Sequence, residues 1–353
     1  MGALFDESTR KSLARYFAIT ENRAVAKFLI AKKVPADFSS TDSLETLWQQ
    51  HTNCTQDFLA LERQLDSGTT SLLRPKPEKS YLDLKIQIAA DILQRCHLCS
   101  RQCRVNRLAD KLGYCGCGNT LAVSSIFAHM GEEPELVPSG TIFTMGCTMR
   151  CRHCQNWTIS QWKETPLVYT PRELAAEVEN LCSTGCRNIN LVGGEPTPWL
   201  KHWLETFNCV NVNVPVVWNS NAYYSPQTAQ LLAGFADVYL LDFKYGPGNC
   251  AEHISDTPNY WQVCIRNHLE AKKYGELLVR LLVLPGHLEC CTKPILHWIA
   301  DNLGVDTRVN LMFQYRPEWR AHELPELQRG LTKTEMSWAL RLAKEAGLRN
   351  LVE

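Results

Sequence analysis

The sequence predicts an α/β protein built on a partial (β/α)6 TIM-type barrel, preceded by an N-terminal helical extension and a cysteine-rich metal-binding segment. In the last two thirds of the chain, six short apolar runs alternate with helical stretches, which is typical of βα units and a parallel sheet. An unusual motif of cysteine, glycine or polar residues follows each run. This placement supports the barrel, because the working residues of α/β barrels collect at the carboxyl ends of the strands.

Length and charge limit the classes of protein to consider. The 353 residues can form one large α/β domain and a smaller one. Lys+Arg and Asp+Glu each number 37, so no global field would attract nucleic acid or an anionic membrane. Residues 1–7 lack a basic segment followed by an apolar one, and no run nears about eighteen apolar residues, so we expect a cytoplasmic protein. In that compartment, sixteen cysteines favour metal ligation over disulfides.

Residues 1–80 are predicted to form the helical extension. Apolar residues such as Leu13, Tyr16 and Phe17 recur at spacings of three and four, and residues 67–71 and 75–77 are typical of a linker. Since no motif in this segment carries chemistry, we expect it to be a packing or partner-facing cap.

Residues 81–125 are predicted to bind a metal, because five of the sixteen cysteines lie within 22 residues. Their C-x2-C-x3-C-x11-C spacing can place four thiolates on one ion, with glycines around Cys115 permitting a tight backbone approach. Zinc, a single iron or an auxiliary iron–sulfur cluster would fit, and Cys117 or His97 could replace Cys115. The alternative is a set of free core cysteines. The predicted ligands are Cys96, Cys99, Cys103 and Cys115.

Other cysteines and arginines are expected to be ordinary. Most of the eight cysteines outside the two clusters, including Cys250, should be small buried hydrophobic residues. Nothing nearby in the sequence would activate the adjacent pair Cys290 and Cys291. Three arginines of the metal-binding segment could dock an acidic partner, but we expect them to be solvated surface residues; they are Arg101, Arg104 and Arg107.

Residues 126–353 are predicted to form the barrel. Thr170 and Glu173 match a capping box with proline at the first helical position, and Ser225 followed by Pro226 repeats the cap. The strands are short apolar runs of the kind that is buried on both faces. They are predicted at residues 142–145, 189–192, 215–219, 238–242, 277–284 and 308–313.

Three cysteines follow the first strand in a C-x3-C-x2-C arrangement: Cys147, Cys151 and Cys154. An iron–sulfur cube is normally held by four thiolates, so three leave one iron free to bind another ligand, as an open position does in catalytic zinc sites. A structural zinc or redox site is the alternative, but a zinc knuckle usually shows two C-x2-C pairs. Gly146 allows a tight turn before the first thiol.

Three further strand ends carry candidate binding residues. The second strand ends in Gly193, Gly194 and Glu195, where the glycines let backbone carbonyls approach a ligand and the carboxylate could instead order the loop. The third ends in Asn219-Ser220-Asn221. Asp242 and Lys244 alternate on the fourth strand and therefore point the same way, as a buried salt bridge or as ligand contacts.

These motifs resemble, in order and over residues 140–317, those of the radical S-adenosylmethionine (SAM) enzymes and their pyruvate formate-lyase activating group. The matching elements are Cys147-Thr148-Met149-Arg150-Cys151 with Cys154 and Asn156, Gly193-Gly194-Glu195, Asp242-x-Lys244, and Val279-Arg280 with Val283-x-Pro285-Gly286. The extra cysteine segment is similar to a less defined, activating-enzyme-like branch of that group.

The resemblance implies a [4Fe–4S] cluster on the three cysteines of the barrel, with SAM bound beside it. The chain departs from the group at His153, where an aromatic or apolar residue is usual near the adenine, at Asn219, often an acid, and at Tyr315, often a histidine. These changes leave the substrate open. The implied SAM-binding residues are His153, Gly193, Gly194, Glu195, Asn219, Asn221, Asp242, Lys244 and Tyr315.

We therefore predict a radical SAM enzyme, of oxidoreductase type, that cleaves SAM reductively to a 5′-deoxyadenosyl radical and abstracts hydrogen from a protein or peptide. The step would install a glycyl radical or modify a side chain. The implied partners are that substrate and a reductant such as flavodoxin or ferredoxin, with neither nucleic acid nor membrane. The alternatives are a small-molecule maturase and a non-catalytic metal-binding scaffold.

Overall fold

Six neighbouring parallel strands make up most of an open eight-stranded sheet in this computed structural model, which describes residues 5–73 and 75–352. The predicted α/β class and partial TIM-type barrel are confirmed. The strands are β1 (Ala122–His129), β2 (Ser139–Thr144), β3 (Leu167–Val168), β4 (Asn188–Gly193), β5 (Val216–Ser220), β6 (Val238–Asp242), β7 (Glu276–Leu282) and β8 (Arg308–Met312).

The parallel strands are the six that the sequence predicts, each shifted by no more than a few residues. Across the sheet the order is β3-β1-β2-β4-β5-β6-β7-β8, and each neighbouring pair from β2 onward is parallel. All five residues of β5 are buried, as expected for a strand covered on both faces. The carboxyl ends of these six strands therefore meet at one end of the barrel.

The strands β1 and β3 were not predicted. β1 runs antiparallel to both β2 and β3 and covers the outer edge of the parallel sheet. Only the first two of its eight residues are fully buried, and both residues of β3 are exposed. Because neither segment forms a buried apolar run, the hydrophobic pattern does not reveal them.

Thirteen α-helices surround the sheet within the described residues. Thr170 and Glu173 form the predicted capping box, and Ser225 caps its helix by accepting the backbone N–H of Thr228 at 3.2 Å. The helices are α1 (Glu7–Ser12), α2 (Ala14–Thr20), α3 (Lys27–Ala31), α4 (Leu44–Asp66), α5 (Tyr81–Gln94), α6 (Trp157–Ser160), α7 (Pro171–Ser183), α8 (Leu200–Cys209), α9 (Pro226–Leu232), α10 (Cys250–Ser255), α11 (Tyr260–Tyr274), α12 (Lys293–Trp298) and α13 (Lys333–Glu345). None of them combines the length and the hydropathy that a bilayer span requires.

The N-terminal helices cover the amino ends of the barrel strands. Arg15 Nη1 lies 3.2 Å from Oδ1 of Asp237, just before β6, and Glu276 at the start of β7 accepts the backbone N–H groups of Arg15 and Tyr16. The Tyr16 hydroxyl accepts Nδ2 of Asn188, the first residue of β4, at 3.0 Å. The helices thus stabilise the end of the barrel opposite to the predicted site.

The connection after β7 is helical but irregular. Two π-helical turns, Leu288–Thr292 and Ile299–Leu303, flank α12 on both sides. Such turns are rare and are often found at functional sites.

Candidate active site

A cavity at the carboxyl ends of the parallel strands collects the three cysteines of the barrel and every predicted cofactor-binding residue except Tyr315. The six parallel strands and the loops that follow them contribute to it. Its lining consists of Cys147, Met149, Cys151, His153, Cys154, Gln155, Asn156, Val192, Gly193, Gly194, Glu195, Asn219, Ser220, Asn221, Asp242, Lys244, Arg280, Leu282, Met312 and Gln314.

The cysteine loop after β2 directs three thiols into the cavity. Sγ of Cys147 lies 3.4 Å from the backbone N of Met149, and Sγ of Cys154 lies 3.3 Å from Oγ of Ser160. Burial raises the pKa of Cys147 and Cys151, and it raises that of Cys154 to about 11. The thiols therefore favour the neutral form until a metal displaces their protons. Thiolate donors suit an iron–sulfur cluster, and no fourth cysteine belongs to the described lining.

Close backbone packing explains the glycines around this loop. A Cβ on Gly194 would overlap the carbonyl oxygen of Gly146, and a Cβ on Gly193 would overlap the backbone of Thr144. Gly146 has a φ of +83°, and a Cβ there would lie 2.7 Å from the carbonyl oxygen of Cys115. The glycines let the ends of β2 and β4 pack against each other and against the cysteine-rich segment. This packing role is separate from the predicted approach of backbone carbonyls to a ligand.

Glu195 is held by protein donors and orders the loop between β4 and β5. Its carboxylate accepts Oγ of Ser220 at 2.6 Å and the backbone N–H of Asn221 at 2.9 Å, and it also accepts the Thr197 hydroxyl. Burial raises the pKa of Glu195, although these donors oppose that effect. The contacts within the protein therefore support the loop-ordering alternative for this residue.

Asp242 and Lys244 lie on one side of the chain, as predicted, and form an ion pair with Nζ 2.6 Å from Oδ2. Both side chains keep some exposure toward the cavity, 23% for Asp242 and 18% for Lys244. Burial would lower the pKa of Lys244, but the Asp242 carboxylate and the nearby cysteines raise it above its ordinary value. A fixed ammonium and carboxylate therefore face the space beside the three thiols.

His153 lies between the cysteines and a group of aromatic residues. Its Nε2 is 2.9 Å from the Tyr245 hydroxyl, and its ring packs edge-on against Tyr315 at 5.9 Å. Burial and the nearby Lys244 lower the pKa of His153 to about 3, so the ring is neutral. Tyr315 lies behind His153 and donates its hydroxyl to the carbonyl oxygen of Leu327 at 2.7 Å.

Arg280 on β7 lines the cavity, and the sequence analysis did not single it out as a site residue. Its guanidinium donates to Oε1 of Glu133 at 2.7 Å, also pairs with Glu132, and lies 3.4 Å from Oδ1 of Asn219. Asn310 donates to the same Glu133 oxygen at 2.8 Å. Asn219, predicted to bind the cofactor, is thus oriented by this cation.

The cysteine-rich segment between α5 and β1 brings its four predicted ligands into one region. Burial raises the pKa of Cys99, and the thiols of Cys115, Cys96 and Cys103 raise it further. The buried Cys117 lies against the cysteine loop of the barrel, with Sγ 3.6 Å from the carbonyl oxygen of Met145. No three of these thiols, all of them among the described residues, come within 4.8 Å of one another, so a metal shared by Cys96, Cys99, Cys103 and Cys115 stays a prediction.

Arg107 is not a solvated surface residue, and that expectation was wrong. Only 1% of the residue is exposed, and its guanidinium donates to the carbonyl oxygens of Pro198 and Gly118 at 2.6 and 2.7 Å. A hydrogen bond from Cys117, together with the charge of Arg107, lowers the pKa of Cys115 to about 6. Arg107 therefore supplies positive charge to the cysteine-rich segment.

Cys290 and Cys291 belong to a larger group of possible metal ligands that the sequence analysis did not predict. Cys250 and His287 join them, and the four ligand atoms lie within 4.8 Å of one another. Within residues 5–73 and 75–352, no other group of three or more His, Cys, Asp or Glu ligand atoms is as close. The sequence held one signal for this group, because Cys250 follows β6 and His287 follows β7, and functional residues often lie after strands.

The sequence matches one family model and two proteins of a single organism. The model of the radical SAM superfamily matches residues 141–299. An uncharacterized protein of Methanocaldococcus jannaschii, MJ0674, is 41% identical over 344 residues, covering 95% of this chain and 98% of that protein. A second protein of that organism, MJ0808, is 26% identical over 280 residues, covering 72% and 79%.

Three solved structures match this chain at low identity. HydG, a maturase of the [FeFe]-hydrogenase, matches with a TM-score of 0.43 and 14% identity, covering 98% of this chain and 67% of that one. Methylornithine synthase (PylB) gives 0.41 and 15%, covering 57% and 60%. Streptococcus suis SuiB bound to its precursor peptide SuiA gives 0.42 and 14%, covering 58% of this chain and 46% of SuiB.

Proposed function

The chain carries a radical SAM domain over residues 141–299, and from that premise we propose that it cleaves SAM reductively and abstracts hydrogen from a protein or peptide. Such a domain implies a [4Fe–4S] cluster and SAM. We assign the cluster to Cys147, Cys151 and Cys154. When bound, the cluster supplies the electron that converts SAM to methionine and a 5′-deoxyadenosyl radical.

One observation supports this proposal most directly: three thiols and the polar residues at four strand ends line a single cavity. Three protein thiolates leave one iron of a cube without a cysteine ligand, which matches the amino and carboxylate groups that SAM offers. A tetrahedral zinc site would instead need a fourth donor from the protein or water. Three thiols without a fourth cysteine in the described lining are the donor set of such a cluster, and this supports the assignment.

The residues around the thiols are suited to holding SAM. Lys244 and Asp242 present opposite charges that could pair with the carboxylate and amino groups of a methionine moiety. Gly193, Gly194 and Asn221 also line the cavity. The neutral His153 ring could pack against an adenine. These residues would bind and orient SAM, and the buried surroundings would exclude water.

The resemblance of the motifs supports three finer proposals. They are an activating-enzyme-like reaction, a macromolecular substrate, and a reductant such as flavodoxin or ferredoxin. A second metal on Cys96, Cys99, Cys103 and Cys115 rests on their spacing in the sequence. The cytoplasm suits this assignment, because it keeps thiols reduced.

A cysteine substitution tests the cluster assignment. Anaerobically reconstituted protein, reduced by dithionite, should convert SAM to 5′-deoxyadenosine, whereas Cys151→Ser should lose at least about a hundredfold of that activity, the scale of removing an essential catalytic element. Cys182→Ser on α7, outside the cavity, is the matched control and should retain activity. Normal 5′-deoxyadenosine formation by reduced Cys151→Ser would overturn the site. An iron-loaded, reduced wild-type protein that never consumes SAM would favour the scaffold alternative.

Isotope transfer identifies the class of substrate. The active protein is incubated with deuterated proteins and peptides, or separately with deuterated metabolites, and 5′-deoxyadenosine is analysed by mass spectrometry. Deuterium from the macromolecular fraction is expected. Transfer only from the metabolite fraction would establish the small-molecule alternative.

A further inference from the structure

We propose that Cys250, His287, Cys290 and Cys291 form a closed zinc site that joins the loop after β6 to the turn after β7. The site lies outside the residues that line the cavity and shares no ligand with the cysteine-rich segment. The proposal does not depend on the reaction proposed above.

Four of the six distances between the ligand atoms match those around a tetrahedral zinc ion, and all six are within 4.8 Å. Zn–S bonds of about 2.3 Å and Zn–N bonds of about 2.0–2.1 Å place two sulfurs about 3.8 Å apart, and sulfur about 3.5 Å from nitrogen. Sγ of Cys290 lies 3.7 Å from Sγ of Cys250 and 3.8 Å from Sγ of Cys291. Nδ1 of His287 lies 3.5 Å from Sγ of Cys250 and 3.4 Å from Sγ of Cys290.

The local backbone brings these side chains together. Cys250 is the first residue of α10, and the π-helical turn Leu288–Thr292 carries both adjacent cysteines. A Cβ on Gly246 would overlap the carbonyl oxygen of Cys290, so the loop before α10 rests directly on this turn. The glycine is needed because no larger residue allows that approach.

The second nitrogen of the histidine also fits a metal ligand. Nε2 of His287 is buried without a hydrogen-bond partner, and the nearest carboxylate oxygen, Oε1 of Glu326, is 3.9 Å away. A histidine that binds zinc through Nδ1 carries its proton on Nε2 and usually directs it to a carboxylate or carbonyl. Glu326 could fill that role after a small movement.

Three thiolates and one imidazole select zinc and indicate a structural role. Soft sulfur and imidazole ligands in a tetrahedral arrangement suit zinc, and four protein ligands leave no open position for catalysis. The ion would fix the segment that follows Lys244, which carries Tyr245, the hydrogen-bond partner of His153. It would thereby stabilise one wall of the candidate active site.

Metal analysis of the full chain tests the proposal. Protein purified anaerobically from zinc-supplemented cells is analysed for zinc and iron in the wild type and in Cys290→Ser, an exposed position where packing is little disturbed. Cys290→Ser should contain one zinc fewer per chain, with iron unchanged. His287→Cys should retain the zinc through four thiolates. Cys209→Ser, at the end of α8, is the matched control and should equal the wild type. Equal zinc in wild type and Cys290→Ser, or a loss of iron instead, would overturn the assignment.

Alkylation of the wild type provides a second measurement that needs no variant. The exposed Cys290 should resist maleimide in the purified protein, become reactive after treatment with a chelator, and regain protection when Zn²⁺ alone is added, as followed by peptide mass spectrometry. Rapid alkylation of Cys290 in the untreated, zinc-containing protein would contradict the proposal. So would a disulfide joining Cys250 and Cys290 under anaerobic conditions.

Discussion

A Cβ on Gly194 would overlap the carbonyl oxygen of Gly146, so the loop after β4 rests on the backbone of the cysteine loop after β2. Two turns that are 48 residues apart in the sequence are therefore in direct backbone contact. The position of the three thiols depends on this contact, because no side chain separates the two loops.

Gly194→Ala should separate these loops. Forcing an extra methyl group into a packed region costs about 1–3 kcal/mol, and here the neighbouring atom is backbone that cannot rotate away. We expect a lower free energy of unfolding in urea and reduced iron content after reconstitution. Gly248→Ala is the control, because a Cβ there meets no atom within 4 Å. Equal stability and iron content in both variants would contradict the packing argument.

Lys244→Gln should leave the Asp242 carboxylate without its partner. We expect a loss of about 1–3 kcal/mol, less than for a fully buried pair because both side chains keep some exposure. The double variant Asp242→Asn/Lys244→Gln should recover most of the stability but bind SAM at least about tenfold more weakly, which is 1.4 kcal/mol of lost charge pairing. Calorimetry measures the affinity. Wild-type affinity in the double variant would assign the pair a purely structural role.

Glu135→Gln should destabilise the barrel strongly. Glu135 is fully buried, and its Oε1 lies 2.8 Å from Nε of Arg308 on β8. Arg308 is itself only 6% exposed. Removing one charge of a buried pair typically costs about 3–5 kcal/mol, because the other charge stays unpaired. Glu21→Gln removes an exposed pair with Arg23 and should leave the free energy of unfolding nearly unchanged, because solvent screens such pairs. Chemical denaturation of both variants checks the contrast.

Acid should destabilise the fold through its buried histidines. Burial lowers the pKa of His202 to about 3 and that of His268 to about 4, and it also lowers that of His51. An unfolded histidine takes up a proton near pH 6.5, whereas the folded one stays neutral, so the stability is present above pH 6.5 and is lost as pH falls below it. Each such histidine contributes a slope of up to about 1.4 kcal/mol per pH unit.

His202→Gln tests this pH dependence. Its Nε2 lies 2.6 Å from the carbonyl oxygen of Asn119, and a glutamine amide can donate the same hydrogen bond without titrating. Between pH 6.5 and 4, the free energy of unfolding of this variant should fall less steeply than that of the wild type. The difference in slope should correspond to about one proton fewer taken up on unfolding. The exposed His253→Gln is the control. Parallel slopes for His202→Gln and wild type would show that this histidine does not carry the effect.

Local chemistry made much of the barrel predictable. Thr170, Pro171 and Glu173 specify a helix start with only neighbouring residues, and the six apolar runs specify strands through burial on both faces. Cys147, Cys151 and Cys154 lie within eight residues, so their spacing alone indicates a shared site. Asp242 and Lys244 follow a predicted strand, where the working residues of α/β barrels collect, and they line the same cavity as the three thiols.

Short-range patterns in the sequence thus specify the fold class and most of the predicted residues of the candidate active site, although they missed Arg280 and included Tyr315, which lies outside the lining. Only the tertiary structure decided that Glu195 is held by donors from the next strand end and that Arg107 is buried. It alone joined Cys250 to His287 and Cys290, 37 and 40 residues later in the chain. The physical reason is that these contacts form only when the ends of adjacent parallel strands meet, and no local pattern records which distant side chains will be neighbours there.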